Sequence, residues 1–279
     1  MGLRINTNVP SLAAQRTLSQ TREIVNNNLR KLSSGERITR AGDDAAGLAI
    51  SENLKSQIRG LRQCVRNAGD AIGMIQTSEG GLNEISAMVI RLRELAIQSS
   101  SDTIGDTERR FSNIEFQNLK DEIDRIANSA EFNGIKLLNG GGGVMEFQIG
   151  LHNNPALDRL VYDGTFINAS TATLGVAETD ISTKVGSQMA IQSLDDSLVL
   201  VNGYRANLGA KQNRLSSIIR NLEVNEENLS AANSRIRDVD LAQETAEMTK
   251  NNILLQAGVS VLGQANQTPG VALKLLGNG

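Results

Sequence analysis

The run from Ile191 to Ile236, IQSLDDSLVLVNGYRANLGAKQNRLSSIIRNLEVNEENLSAANSRI, decides the fold class. Within it Leu194, Val201, Leu208, Leu215, Leu222, Leu229 and Ile236 recur at an unbroken interval of seven. Such a row lies along one face of a helix and needs a second helix to cover it. The companion row is Ile191, Leu198, Arg205, Gln212, Ile219, Glu226 and Asn233, about half of it polar. One stripe is therefore expected to be firmly buried and its neighbour partly wet. Thr179 and Asp180 offer the starting cap.

Outward from that run, Pro10, Pro155 and Pro269 leave two long proline-free arms that are free to be helical. In the first arm Leu54, Leu61, Ala68, Ile75 and Leu82 are spaced by seven, with Ile58, Val65 and Ile72 as the partner row. Glu79 interrupts the partner row and Gly80-Gly81 mark a soft spot, after which the pattern resumes at Ile85, Val89, Leu92 and Ala96. The spacing predicts a helix over 46–98, roughly 80 Å long at about 1.5 Å per residue, with Asp43 or Asp44 as its cap. A shorter helix is expected next, capped by Asp106, with its seam at Phe116, Leu119, Ile123, Ile126 and Ala130 and its end near Phe132-Asn133-Gly134. The short link makes these two helices antiparallel neighbours.

The middle of the chain changes character. After the glycine run Gly140–Gly143, residues Val144–Gly150 alternate apolar and polar as a half-buried strand does. Leu160-Val161-Tyr162 and Thr165-Phe166-Ile167 are further strand candidates, and Asn153-Asn154-Pro155 and Asp163-Gly164 are turn signals. A small β-hairpin region is expected over 140–175.

Composition points the same way. Trp is absent and aromatic residues make up 3% of the 279, so burial has to come from Leu, Ile, Val and Ala, which suits long helices. Lys and Arg number 28 against 31 Asp and Glu, a net charge of −3 that makes nucleic acid a poor partner. One His and one Cys, His152 and Cys64, cannot supply a zinc pair, a C-x-x-C redox site or an intramolecular disulfide. Cys64, beside the seam row, is expected to be a small filler. Asp43-Asp44 fits a helix cap better than a metal pair, and Gly140–Gly143 lacks the Gly-Lys-Ser/Thr ending of a phosphate loop. No catalytic, metal or cofactor site is expected, and the protein is not expected to be an enzyme. The start has no apolar leader segment, so no cleaved signal peptide is expected, and no stretch of about 18 uncharged apolar residues exists to span a membrane.

The ends differ from the middle. Residues 1–40 carry seven basic and two acidic residues, whereas 251–279 carry a single charge, Lys274. In the tail Leu255, Val259 and Leu262 share a helical face, as do Ile5, Val9 and Leu12 near the start. Gly258 and Gly263 each cost about 1 kcal/mol of helix propensity relative to Ala. The expected architecture is mainly α, a long antiparallel coiled-coil-like helical rod with paired chain ends. Those ends hold more apolar surface than one rod covers, and head-to-tail packing that does not close gives a helical filament.

Two segments resemble a known family. Leu32-Ser33-Ser34-Gly35-Glu36-Arg37-Ile38 followed by Ala41–Ser51 (AGDDAAGLAIS) resembles the N-terminal signature of bacterial flagellins. Ser234–Asp240 (SRIRDVD), the run through Glu244, and Gln256-Ala257-Gly258 resemble the C-terminal one. The resemblance covers about 1–140 and 175–279 and describes a short form without the outer variable domains. It implies an axial domain from 1–42 with 239–279, the inner core of the filament, and a rod domain from 43–238. It implies a structural subunit that self-polymerises into the flagellar filament, a helical propeller outside the cell. Export would follow the flagellar type III route, with a dedicated chaperone on the C-terminal tail and with filament cap and hook-associated proteins as further partners. Axial packing between subunits would use Ile5, Val9, Leu12, Leu255, Val259 and Leu262. A host innate immune receptor would meet a patch carrying Arg91, Leu95 and Glu115. The alternative within the same resemblance is a hook–filament junction adaptor, a hook-associated protein.

Overall fold

The computed structural model describes residues 7–276. In chain order the elements are α1 (Val9–Ser34), α2 (Ala45–Ser99), α3 (Asp106–Ser129), β1 (Glu131–Phe132), β2 (Ile135–Lys136), β3 (Val144–Gln148), β4 (Arg159–Asp163), α4 (Lys184–Arg237) and α5 (Leu241–Leu276). The chain divides into two compact units, 57–227 and the pair of segments 1–56 with 228–279. The helix expected over 46–98 is α2 to within a residue at each end, whereas α3 ends at Ser129, short of the stretch expected to end it, and α4 begins at Lys184, later than expected. The mainly helical class with a small hairpin region holds.

In the 57–227 unit the first row of α2, Leu61, Ala68, Ile75, Leu82, Val89 and Ala96, is buried as a continuous stripe. Its true companion is Cys64, Ala71, Ser78, Ile85, Leu92 and Ser99, all buried as well. The row expected from sequence sits one residue over, and its Val65 and Ile72 are only half-buried. The same offset recurs on α4. Leu194, Val201, Leu208, Leu215 and Leu222 are buried, and Ala190, Ser197 and Tyr204 are buried beside them. Every residue of the expected companion row, Ile191 to Asn233, is half-buried. Small Ala, Ser and Cys side chains let helix backbones approach closely, so the larger β-branched residues are displaced to the flanks of the seam. Cys64 is thus part of the seam rather than beside it.

Several caps and turns differ from expectation. Asp44 caps α2, its Oδ1 accepting from Gly47 N at 2.8 Å. Asp43 instead holds the preceding turn by accepting from Thr39 N, Thr39 Oγ1 and Arg40 N. For α3 the cap position is Gly105, and Asp106 is the first helical residue. Asp106 pairs with Arg109, whose guanidinium also donates to the carbonyls of Ser99 and Ser101 and so satisfies the end of α2. Thr183, not Thr179 or Asp180, starts α4, its Oγ1 accepting from Gly186 N and its carbonyl from Ser187 N. The helix α2 runs unbroken through Gly80-Gly81, where Leu138 packs over the missing Gly81 side chain.

The stretch expected to end α3 is itself a hairpin. Asn133 (φ 50°) and Gly134 (φ 79°) join β1 to β2 in a two-residue turn with both central residues left-handed, a conformation that favours Asn-Gly. β3 pairs antiparallel with β4, Met145 opposite Tyr162 and Phe147 opposite Leu160, and this face packs on the helical core. Thr165-Phe166-Ile167 is not a strand. Asp163 Oδ1 accepts from both Thr165 N and Thr165 Oγ1 and closes a turn there. Lys120 of α3 is buried, its Nζ donating to the carbonyls of Ala177 and Thr179 at 2.6 and 3.0 Å. Burial pushes its pKa down, against the pull of Glu178 and Asp180.

Candidate assembly surfaces

The helices α1 and α5 pack against each other within the second unit. Asn8 caps α1 by accepting from Ser11 N, with Pro10 in the first turn. Covered positions on α1 recur at Ser11, Ala14, Leu18, Thr21, Val25, Asn28 and Leu32, and on α5 at Glu244, Met248, Asn251, Leu255, Gly258, Leu262 and Ala265. Both series step by three and four, which is the spacing of a coiled-coil seam. The pairing is antiparallel. Asn8 Nδ2 donates to the Ala265 carbonyl at 2.8 Å and Ser11 Oγ to Asn266 Oδ1 at 2.7 Å, while Lys31 Nζ stands 3.9 Å from Glu244 Oε2 at the other end.

The seam is unusual in what it hides. Its best-covered side chains are polar: Ser11, Asn28 and Glu244 are 6%, 3% and 8% exposed. Its apolar members, Leu18, Val25, Leu255 and Leu262 among them, are only half-buried. Large aliphatic side chains stand outside it, with Val9, Leu12 and Val259 at 54%, 58% and 55% exposure and Ile24, Leu29, Leu241, Ile253, Leu254 and Val261 similarly open. The residues expected to pack between subunits differ in exposure. Leu255 and Leu262 turn towards α1, and Val9, Leu12 and Val259 do not; Ile5 lies outside the described residues.

The two signature segments meet in a joint that composition and spacing did not reveal. Glu36 and Asp238 form an antiparallel bridge, with Arg37 N donating to Arg237 O at 2.6 Å and Val239 N to Gly35 O at 3.0 Å. The Arg237 guanidinium reaches Glu36 through Nε at 2.8 Å and through Nη2 at 3.2 Å, and it also pairs with Glu52 of α2. Arg37 Nη2 donates to the Ile236 carbonyl at 2.6 Å. Ile38 is fully buried against the start of α2, where a Cβ on Gly47 would stand 2.8 Å from Ile38 Cδ1. A larger residue there would push aside Ile38 or the capping Asp44 carboxylate. Asp240 then caps α5, accepting from Ala242 N and Gln243 N. The signature residues thus build the connection between α1, α2, α4 and α5. Their sequence separation, 201 residues between Glu36 and Arg237, is what hid the joint.

In the 57–227 unit Arg91 and Glu115 come together. Arg91 pairs with Glu115 and with Glu94, each at 2.9 Å, and all three side chains are exposed; Ile90 and Ile97 of α2 and Phe111 and Ile114 of α3 are exposed too. Leu95 does not join them. It is 2% exposed and belongs to the core, so it supports this surface from beneath. Cys64 Sγ lies 3.4 Å from the Gly150 carbonyl, and burial, with the charge of Asp158, pushes the thiol's pKa up. A thiol held protonated is not a nucleophile. No described helix is long and apolar enough to cross a membrane.

Comparison with known proteins matches these features to one family. Residues 5–142 match the bacterial flagellin N-terminal helical region and residues 191–276 the bacterial flagellin C-terminal helical region. The flagellin of Halalkalibacterium halodurans is 44% identical over 272 residues, covering 98% of this chain and 99% of that one. A flagellar filament 30.7 kDa core protein of Treponema maltophilum is 42% identical over 98% of this chain and 99% of its own length. The flagellin of Bacillus subtilis is 41% identical over 98% of this chain and all of its own. With both terminal regions matched and near-complete coverage at this identity, the chain belongs to the bacterial flagellin family.

Proposed function

We propose that this chain is a structural subunit that polymerises with copies of itself into the bacterial flagellar filament, a propeller for swimming. The observation that carries this reading is the apolar surface left open on a narrow helix pair, Val9, Leu12, Ile24, Leu29, Ile253, Leu254, Val259 and Val261. Burying one such side chain contributes about 1.5–3 kcal/mol, and stacking many copies buries them all. Under this proposal residues 1–42 and 239–279 line the filament interior and 43–238 form the next layer. Leu255 and Leu262 serve by holding α5 on α1, so that Val9, Leu12 and Val259 face neighbouring subunits. Ile5 belongs to the same axial set.

The nearly uncharged tail is the segment a dedicated export chaperone would cover before export by the flagellar type III route without a cleaved signal peptide. Filament cap and hook-associated proteins complete the partners at the two filament ends. Arg91 and Glu115 offer a host innate immune receptor a charged, exposed patch over the buried Leu95. Deleting residues 251–279 tests the central claim. The truncated protein should keep the 57–227 helices by circular dichroism and form no filaments by electron microscopy after seeding. Filaments at normal yield would overturn the role of the tail.

A further inference from the structure

The polar side chains in the α1/α5 seam form two separated groups. At one end Ser11 Oγ donates to Asn266 Oδ1, and Asn8 Nδ2 to the Ala265 carbonyl. At the other, the Asn28 amide sits between α5 residues. With its nitrogen turned to Glu244, it donates to Glu244 Oε1 at 3.2 Å and to the Ile24 carbonyl at 3.0 Å, and its oxygen accepts from Asn251 Nδ2 at 3.3 Å. Lys31 faces the same carboxylate. The remaining seam residues are mostly apolar or small, Ala14, Leu18, Thr21, Val25 and Leu32 against Met248, Leu255, Gly258, Leu262 and Ala265. A slip by one heptad that carries Leu18 from Gly258 to Ala265 sets most of them against apolar or small residues again, so they choose a register only weakly. The polar groups choose more strongly, and they act together with the backbone bridge between Glu36 and Asp238 at one end of the pair. A slip of seven residues, about 10.5 Å along the helix, strips Asn28 and Glu244 of their partners while they remain covered, which is costly for a buried amide and carboxylate.

We propose that Asn28, Glu244 and Asn251 are positioning residues that fix the register of α5 on α1, and with it the alignment of the outward side chains that must repeat from copy to copy. The last clause rests on the filament reading; the register itself does not. The network costs stability relative to an apolar seam and provides a single alignment in exchange.

The test uses the full chain carrying Cys64→Ala and pairs of introduced cysteines. A Cβ at Gly258 would stand 3.1 Å from Leu18 Cδ1, so Leu18→Cys with Gly258→Cys reports the native register. Leu18→Cys with Ala265→Cys and Thr21→Cys with Met248→Cys report slips of one heptad in either direction. Each pair is oxidised in the soluble chain and in the pelleted fraction after seeding, and intrachain disulfides are read by gel. In the otherwise unaltered chain only the 18/258 pair should cross-link. With Asn28→Leu and Glu244→Leu together, the slipped pairs should appear beside the native pair while the thermal midpoint rises. Glu244→Gln keeps an acceptor for Asn28 and should retain the native pair alone. The proposal is overturned if the double leucine variant still cross-links only 18/258, or if the unaltered chain shows no preference for 18/258 in either fraction. Failure of the unaltered chain to form filaments would instead overturn the proposed function, and the soluble fraction would still report the register.

Discussion

In the 57–227 unit Leu194, Val201, Leu208 and Leu215 are fully enclosed, and buried charges such as Arg109 and Lys120 are tied to backbone carbonyls. In the α1/α5 pair the same heptad spacing encloses Ser11, Asn28 and Glu244 and leaves the aliphatic side chains half-covered or outside. The first pattern satisfies itself within one chain. The second leaves its apolar residues on open surfaces, which under the proposed function other copies cover. A repeat of seven therefore indicates that a helix will pack, and the distribution of burial around it indicates whether the partner is internal.

The largest expected difference between the regions comes from burying a charge. Leu208→Asp should cost at least about 4 kcal/mol, because a carboxylate at a fully covered position has no partner. That is a large part of the 5–15 kcal/mol available to a typical domain, and urea unfolding followed by circular dichroism should show it. Leu255→Asp, at a half-buried position, should cost only about 1–2 kcal/mol and leave the 57–227 transition unmoved, yet abolish polymerisation. Equal costs at the two sites would erase the distinction drawn here.

The sequence carried the long helices because large aliphatic residues at 54, 61, 75, 82, 194, 201, 208 and 215 leave few alternatives to a helix. It misplaced the second row on α2 and α4 because Cys64, Ala71, Ser78, Ala190 and Ser197 are small, and small residues carry little hydropathy while setting how closely helices pack. On α5 apolar residues surround the helix, so no face is marked. Only the structure separates Leu255 and Leu262 from Val259. Asn28 and Glu244 were passed over because a polar residue in a seam ordinarily means a wet position. The β1–β2 hairpin has strands of two residues, too short for any periodicity, although Asn133-Gly134 is a strong turn signal that could have found it.

A smaller effect separates the joint from the enclosed unit. Arg237→Ala should cost about 1 kcal/mol, since Glu36 and Glu52 are partly exposed and water screens the lost pairs. Amide hydrogen exchange at Arg37 and Val239 should speed up about five-fold, with protection across α3 unchanged. Arg237→Lys should recover part of the loss, because an ammonium cannot hold Glu36 in a fork and reach Glu52 as well. Uniform acceleration across both units would mean that the joint is not a local feature.

The smallest effect is in acid, and its sign follows from the hydrogen bonds. Asp43 accepts from the hydroxyl and N–H of Thr39 and from Arg40 N, which holds its carboxyl below the usual aspartate value of 3.8. A carboxylate with a depressed folded-state pKa contributes stability that is complete above the unfolded value and is lost as pH falls through the folded one. In the 57–227 unit Asp102 beside Lys184, Glu131 beside Lys136 and Asp163 under Thr165 are lowered in the same direction. Both regions should therefore hold their stability from pH 7 to about pH 5 and weaken as pH falls below the ordinary values, 4.5 for Glu131 and 3.8 for the three aspartates. The contributions are small because all four groups are exposed. Asp43→Asn separates the regions: exchange at Thr39 and Arg40 should become fast already at neutral pH and lose its acid dependence, while the acid transition of the 57–227 unit stays where it was. Unaltered exchange at those two amides would show that the turn is held by the burial of Ile38 alone.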